Sequence, residues 1–103
     1  MSAPKRYLCV CQYGHSRSVC LTRVLHGRGD EAVAVGWMTS GSALDGLAEW
    51  ADTICVLEAA YASHVPSRHL RKVVVLDVGR DRWSNPYHPE LFSILSDLVS
   101  QKL

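Results

Sequence analysis

Residues 7–18 read Tyr-Leu-Cys-Val-Cys-Gln-Tyr-Gly-His-Ser-Arg-Ser. Tyr7 to Cys11 is a short apolar run, preceded by Pro4-Lys5-Arg6 and followed by a polar turn containing Gly14. A run of this length between turn signals reads as a buried strand. From Ser18 to about His26 the apolar residues Val19, Leu21, Val24 and Leu25 recur at helical spacing, and Gly27 and Gly29 close the segment. Strand, loop and helix follow one another directly, which is how an α/β unit begins.

The same alternation continues outward. Ala32 to Met38 reads as a second strand, ended by Thr39-Ser40-Gly41-Ser42, and a short helix is expected from about Leu44 to Trp50. Asp52 to Leu57 reads as a third strand, and Glu58 to about Val65 as helix, stopped by Pro66-Ser67. Lys72 to Val78 carries a β-branched run that is apolar on both faces, the pattern of a central parallel strand. Gly79 to Pro89 is a polar loop with aromatics. A last amphipathic helix spans about Glu90 to Val99, with Leu91, Ile94, Leu95 and Leu98 on one stripe. Alternating strands and helices predict an α/β sandwich with a parallel sheet, right-handed crossovers and a ligand site at the strands' carboxyl ends.

The chain's 103 residues and 48% hydrophobic content fit one compact domain over residues 1–103. Eleven basic and ten acidic residues leave a formal charge of +1, so bulk attraction to nucleic acid or to an anionic membrane is not expected. Anion recognition has to come from a local arrangement. The four cysteines are Cys9, Cys11, Cys20 and Cys55; Met1 to Arg6 show no leader pattern, and no apolar run is long enough to span a bilayer. Free thiols in a reducing cytoplasm are the expectation.

The loop between the first strand and first helix has what a phosphate site requires. Such a site needs backbone N–H groups converging on the anion and a helix N-terminus to add positive potential, which a strand–loop–helix junction can supply, and Arg17 offers a planar fork for two oxygens. Gly14 supplies the positive φ that a loop wrapping an anion needs. Residues Gln12, Tyr13, Gly14, His15, Ser16, Arg17 and Ser18 are thus the candidate phosphate cradle. The same donors favour the thiolate of Cys11, the form that attacks phosphorus in line and gives a phosphocysteine for water to hydrolyse.

Cys11 to Ser18, placed near the N-terminus after Leu8-Cys9-Val10, resembles the phosphate loop of low-molecular-weight protein tyrosine phosphatases, including their shorter bacterial and phage branch. Thr39-Ser40-Gly41, Trp50 to Glu58, Val75 to Val78 and Pro89-Glu90-Leu91 extend the similarity over nearly the whole chain. The resemblance implies a three-layer α/β/α sandwich whose four-stranded parallel sheet has the order 2-1-3-4. It also implies Cys11 as nucleophile, Arg17 as phosphoryl holder and Ser18 as thiolate stabiliser. The family's general acid is an Asp in an Asp-Pro-aromatic motif after the fourth strand. Asp81-Arg82-Trp83 keeps the acid and the aromatic but lacks the Pro, whereas Asn85-Pro86-Tyr87 offers an amide that has no acidic proton. Asp81 is the expected acid, with Asp77 the alternative. Gly14 replaces the family's usual Asn, and Val19 its usual Pro. The segment after the second strand is short, so a reduced pocket wall is expected.

Tyr13, Trp83 and Tyr87 are the aromatic candidates for the pocket mouth, the alternative being packing across a loop. His15 is either a proton shuttle or a solvent-facing loop residue. Cys20 is a candidate disulfide partner for Cys11, and Cys9 a core residue. No ligand spacing points to a metal, and no cofactor is expected. The expected function is a cysteine-dependent phosphomonoesterase acting on a phosphorylated protein or a small aryl phosphate, with phosphate or sulfate binding in the loop. The other readings are a phosphate- or phosphoprotein-binding module, a phosphotransfer-system IIB subunit, and an arsenate reductase, whose relay needs two downstream cysteines where only Cys55 exists.

Overall fold

In a computed structural model, which describes residues 4–103, four strands form one parallel sheet. The reading of Met1 to Arg6 as free of a leader rests in part on residues 1–3, outside the described region. The elements are β1 (Arg6–Cys11), α1 (Arg17–Gly27), β2 (Glu31–Gly36), α2 (Ala43–Trp50), β3 (Thr53–Val56), β4 (Val73–Val75) and α3 (Pro89–Lys102). Two 3₁₀ segments, Ala59–His64 and Ser67–Lys72, stand between β3 and β4.

The strand order is β2-β1-β3-β4, as the resemblance implied. β1 is one of the two inner strands, in register with β2 from Arg6↔Glu31 to Cys11↔Gly36 and with β3 from Tyr7↔Thr53 to Val10↔Val56. That position explains its continuous apolar run: Tyr7 to Cys11 are all buried. The chain steps from β1 to one side, then returns to the other side through β3. Right-handed crossovers therefore put α1 and α2 on opposite faces. α3 packs back against α1.

Two expectations are corrected. The β-branched run Lys72 to Val78 is not a central strand. It contributes only Val73–Val75, half-buried at the sheet edge, paired with β3 alone. Lys102 Nζ, from the last turn of α3, donates to the Val75 carbonyl at 2.9 Å and covers part of that edge. The segment read as helix over Glu58 to about Val65 is a 3₁₀ helix, Ala59–His64, and not an α-helix. Pro66 ends it before a second α-helical turn can nucleate, and its carbonyl starts the next 3₁₀ segment by accepting from His69 N–H.

Two polar contacts hold the layers in place. Lys72 Nζ donates to the carbonyls of Ala48, Glu49 and Ala51, closing the C-terminal end of α2 where a cation is favoured. His88 caps α3 by accepting from Glu90 N–H at 3.1 Å, with Pro89 in the first turn.

Candidate active site

The sheet order reverses between β1 and β3, so the loops leaving these two strands diverge and open a cleft at their carboxyl ends. A cavity of about 800 Å³ lies there. Its walls come from the carboxyl ends of all four strands: the loop after β1 (Cys11 to Arg17), Trp37 after β2, Glu58 and Tyr61 after β3, and Arg80, Asp81 and Ser84 after β4.

The loop after β1 is shaped by two glycines. Gly14 has φ +76°, and a Cβ there would lie 2.7 Å from Gly36 N. A Cβ on Gly36 would lie 2.2 Å from the carbonyl carbon of Tyr13. The loop thus rests backbone to backbone on the end of β2, a contact only glycine allows. Trp37 N–H donates to Cys11 O at 3.0 Å and Met38 N–H to Gln12 O at 3.1 Å, which extends the ladder into the loop.

This shape turns the loop around Cys11. Its sulfur is almost fully buried and lies 3.0 Å from Ser18 Oγ and 3.1 Å from the Gly14 N–H donor. Both can stabilise negative charge on sulfur. α1 begins at Arg17, and no side chain caps its first amides, which are free to face an anion.

Arg17 is 4% exposed and held from three sides. Nη1 donates to Gly79 O at 2.6 Å and lies 3.3 Å from Glu58 Oε2, while Nη2 donates to Tyr61 OH at 3.0 Å. Burial opposes the guanidinium charge, but Tyr61 and Glu58 outweigh it. Nε is buried and has no partner among the described residues. A donor so placed suits an oxyanion.

Asp81 lies across the cleft. Its Oδ2 accepts from Ser16 Oγ at 2.7 Å, and its Oδ1 accepts from the N–H groups of Trp83 at 3.1 Å and Ser84 at 2.9 Å. Partial burial works against its charge. The hydrogen bonds from Ser16, Ser84 and Trp83, with Arg17 nearby, prevail and hold the carboxyl below its ordinary range. Asp77 is outside the cavity. It accepts from Ala59 N–H at 2.7 Å and Gly79 N–H at 2.8 Å, a brace that presents Gly79 O to Arg17.

The cavity thus gathers Cys11, Gln12, Tyr13, His15, Ser16, Arg17 and Asp81, with Gly14 and Ser18 lining the sulfur from behind. Two aromatic expectations are corrected. Trp83 turns inward, where its indole N–H donates to Glu90 Oε1 at 2.9 Å and its ring packs under Arg82. Tyr87 projects away, 68% exposed, against the Arg23 guanidinium. Their places are taken by Trp37 and Tyr61, whose ring centroids are 5.7 Å apart, with Trp37 stacked on His64 at 3.6 Å. The short segment after β2 therefore still supplies an aromatic wall. Glu58, Trp37 and Arg80 were not singled out from the sequence. Their signal was positional: Trp37 and Glu58 each follow a parallel strand directly or by one residue.

His15 is exposed, edge-on to Tyr13. The candidate pairing of Cys20 with Cys11 is not formed: all four cysteines are free, and Cys20 is wholly buried in α1. Burial pushes the thiols of Cys9, Cys20 and Cys55 up, Cys55 to about 12. Cys55 is enclosed in β3 and cannot relay a disulfide. Among the described residues, no group of three or more His, Cys, Asp or Glu side chains is placed to hold a metal ion, and no helix is long and apolar enough to cross a membrane.

No protein-family model matches the chain, and no curated protein matches it in sequence. Solved structures do match its fold. The tyrosine phosphatase AmsI of Erwinia amylovora superposes with a TM-score of 0.76 at 11% identity, over 97% of this chain and 91% of that one. Wzb of Vibrio vulnificus, solved with benzylphosphonate, gives 0.69 at 16% identity over 96% and 94%. The arginine phosphatase YwlE of Geobacillus stearothermophilus gives 0.71 at 15% identity over 96% and 92%. The fold is that of the low-molecular-weight protein tyrosine phosphatases, over nearly the full length of the chain.

Proposed function

We propose that the protein is a phosphomonoesterase that works through a phosphocysteine at Cys11. The observation that carries this reading is the convergence on one cavity of a sulfur within hydrogen-bond distance of Ser18 Oγ and Gly14 N–H and a buried arginine whose Nε has no partner among the described residues. In the first step the Cys11 thiolate attacks phosphorus, the P–O bond to the leaving group breaks, and Asp81 gives its proton to the departing oxygen. In the second, the Asp81 carboxylate takes a proton from water as that water attacks phosphorus, and Cys11 leaves as thiolate. Arg17 and the first amides of α1 hold the phosphoryl oxygens throughout.

The state of Asp81 gives the two steps different demands. A carboxyl held below its ordinary range is a carboxylate at neutral pH, the form the second step uses. The first step needs the acid, which a bound phosphate dianion beside the carboxyl would favour. Aryl phosphates with good leaving groups depend least on that proton, and the aromatic wall of Tyr13, Trp37 and Tyr61 suits an aryl ester or a phosphotyrosine side chain. Tyrosine and arginine phosphatases both share the fold, so a phosphorylated protein is the proposed natural substrate class. Four free thiols suit a reducing compartment such as the cytoplasm.

The tight engagement of Asp81 favours a second reading, a phosphate- or phosphoprotein-binding module with little turnover. Hydrolysis of nitrophenyl phosphate by wild type and by Cys11→Ser separates the two. Turnover lost in the variant supports the phosphatase; saturable phosphate binding with equal, negligible turnover in both supports the module.

A further inference from the structure

The two oxygens of Asp81 are held by different parts of the molecule. Oδ1 belongs to its own turn, accepting from the N–H groups of Trp83 and Ser84. Among the described residues, Oδ2 accepts only from Ser16 Oγ, 65 positions away in sequence, at 2.7 Å. We infer that Ser16 is the positioning residue for the acid–base carboxyl: it ties Oδ2 of Asp81 to the cradle and selects that oxygen for proton exchange. The inference rests on the phosphatase reading of this site.

The neighbourhood of Ser16 supports a dedicated role. Ser16 is 6% exposed and occupies the N-cap position of α1, next to Arg17. A serine there ordinarily turns its oxygen onto the second or third amide of the helix, a contact that contributes about 1 kcal/mol. Here the hydroxyl makes no such bond and is directed to Asp81 instead. The diversion has two effects at once. The first amides of α1 stay uncapped for an anion, and the loop after β4 is drawn over the loop after β1. The hydroxyl can go on donating to Oδ2 when that oxygen is protonated, so the tether survives both protonation states of Asp81 and leaves the acid's proton to the departing oxygen.

The charged and titratable groups facing this pair are few. Arg17 from α1 favours the carboxylate, and Arg80, next to Asp81 in the chain, lines the same cavity. His15 lines the same cavity from the loop, and Glu58 and Tyr61 line the opposite wall. None of them donates a hydrogen bond to Oδ2, so removing the Ser16 hydroxyl leaves that oxygen with no donor among the described residues.

The test compares Ser16→Ala and Ser16→Thr with wild type in the full chain. Carbon-13 NMR follows the titration of the Asp81 carboxyl without substrate, and so does not depend on turnover. The expected result is a titration midpoint that rises in Ser16→Ala and returns toward wild type in Ser16→Thr. In kinetics, Ser16→Ala should lower kcat on an alkyl phosphate by about tenfold, the scale of one hydrogen bond to a charged group. Inorganic phosphate should bind within about twofold of wild type, because the anion meets backbone amides and Arg17 rather than this hydroxyl. Added to Asp81→Asn, the substitution should have no further effect on kcat. An Asp81 midpoint unchanged in Ser16→Ala, or equal losses in kcat and phosphate affinity that add to those of Asp81→Asn, overturns the inference. An inactive wild type with a shifted midpoint removes the phosphatase reading and leaves the Ser16–Asp81 tether standing.

Discussion

The loop from Cys11 to Ser18 and the loop from Leu76 to His88 face each other across one cavity, yet they are built in opposite ways. The first is held by its own backbone. Its sulfur meets donors three and seven residues away, and glycine packing fixes it to the neighbouring strand. The second contains no regular element and is tied across the fold by Asp77 to Ala59 N–H, Asp81 to Ser16 and Arg17 to Gly79 O. A site whose contacts are local can be rebuilt from spacing alone. One tied to the facing loop by contacts that span more than sixty residues, Ser16 to Asp81 and Arg17 to Gly79 O, cannot.

The difference can be tested first where the loop after β1 is most rigid. Gly36→Ala would drive a methyl into the Tyr13 backbone at 2.2 Å, so the loop must move. Turnover of an aryl phosphate should fall about a hundredfold, the scale expected for a displaced reacting group. A Gly36→Ala protein with wild-type kcat would mean that the loop is not held as described.

The opposing loop should yield less and in a substrate-dependent way. Asp81→Asn should lower kcat on an alkyl phosphate by about tenfold to a hundredfold, the low end of general-acid contributions, because the acid form is already scarce. On nitrophenyl phosphate the first step should hardly change. The pH dependence has a definite sign. Since the folded carboxyl titrates below its unfolded value, Asp81 stabilises the fold above the ordinary carboxyl range, and that contribution is lost as pH falls through the lower folded value. Acid titrations of melting temperature should therefore show a smaller loss for Asp81→Asn than for wild type.

The aromatic wall gives a finer comparison. Trp37→Ala should raise KM for an aryl phosphate about fivefold, corresponding to roughly 1 kcal/mol of ring contact, while Tyr87→Ala should stay within about twofold because Tyr87 faces away from the cavity. Equal effects of the two would restore Tyr87 to the pocket. The smallest expected effect is a gain: Gly46, in α2 with open space around it, should stabilise the fold by about 0.5–1 kcal/mol on replacement by Ala, with turnover unchanged. Gly46 and Gly36 then mark the two extremes, a glycine that nothing requires and one that the cradle depends on.

These contrasts also explain what could be read from the chain. β1, β2, β3 and α1 follow from apolar runs and turn residues, and the cradle follows from Cys11, Gly14 and Arg17 standing at a strand–helix junction. The edge position of β4 was hidden because Val73 to Val75 carry the residues of a central strand, and what covers the edge is Lys102, far along the chain. Trp83 and Tyr87 looked alike as loop aromatics. Only Glu90 and Arg23, contributed by helices, decide that one turns inward and the other outward. Glu58 and Tyr61 were read as the start of a helix, and their grip on Arg17 emerges only when β3 lies beside β1.

The measurement closest to the centre of this account is a rapid-quench reaction of the wild-type chain with nitrophenyl phosphate. It should show a burst of about one equivalent of nitrophenol, with a phosphoryl group recovered on the peptide that carries Cys11. Turnover that proceeds without a burst, leaves Cys11 unmodified and persists in Cys11→Ser would contradict it.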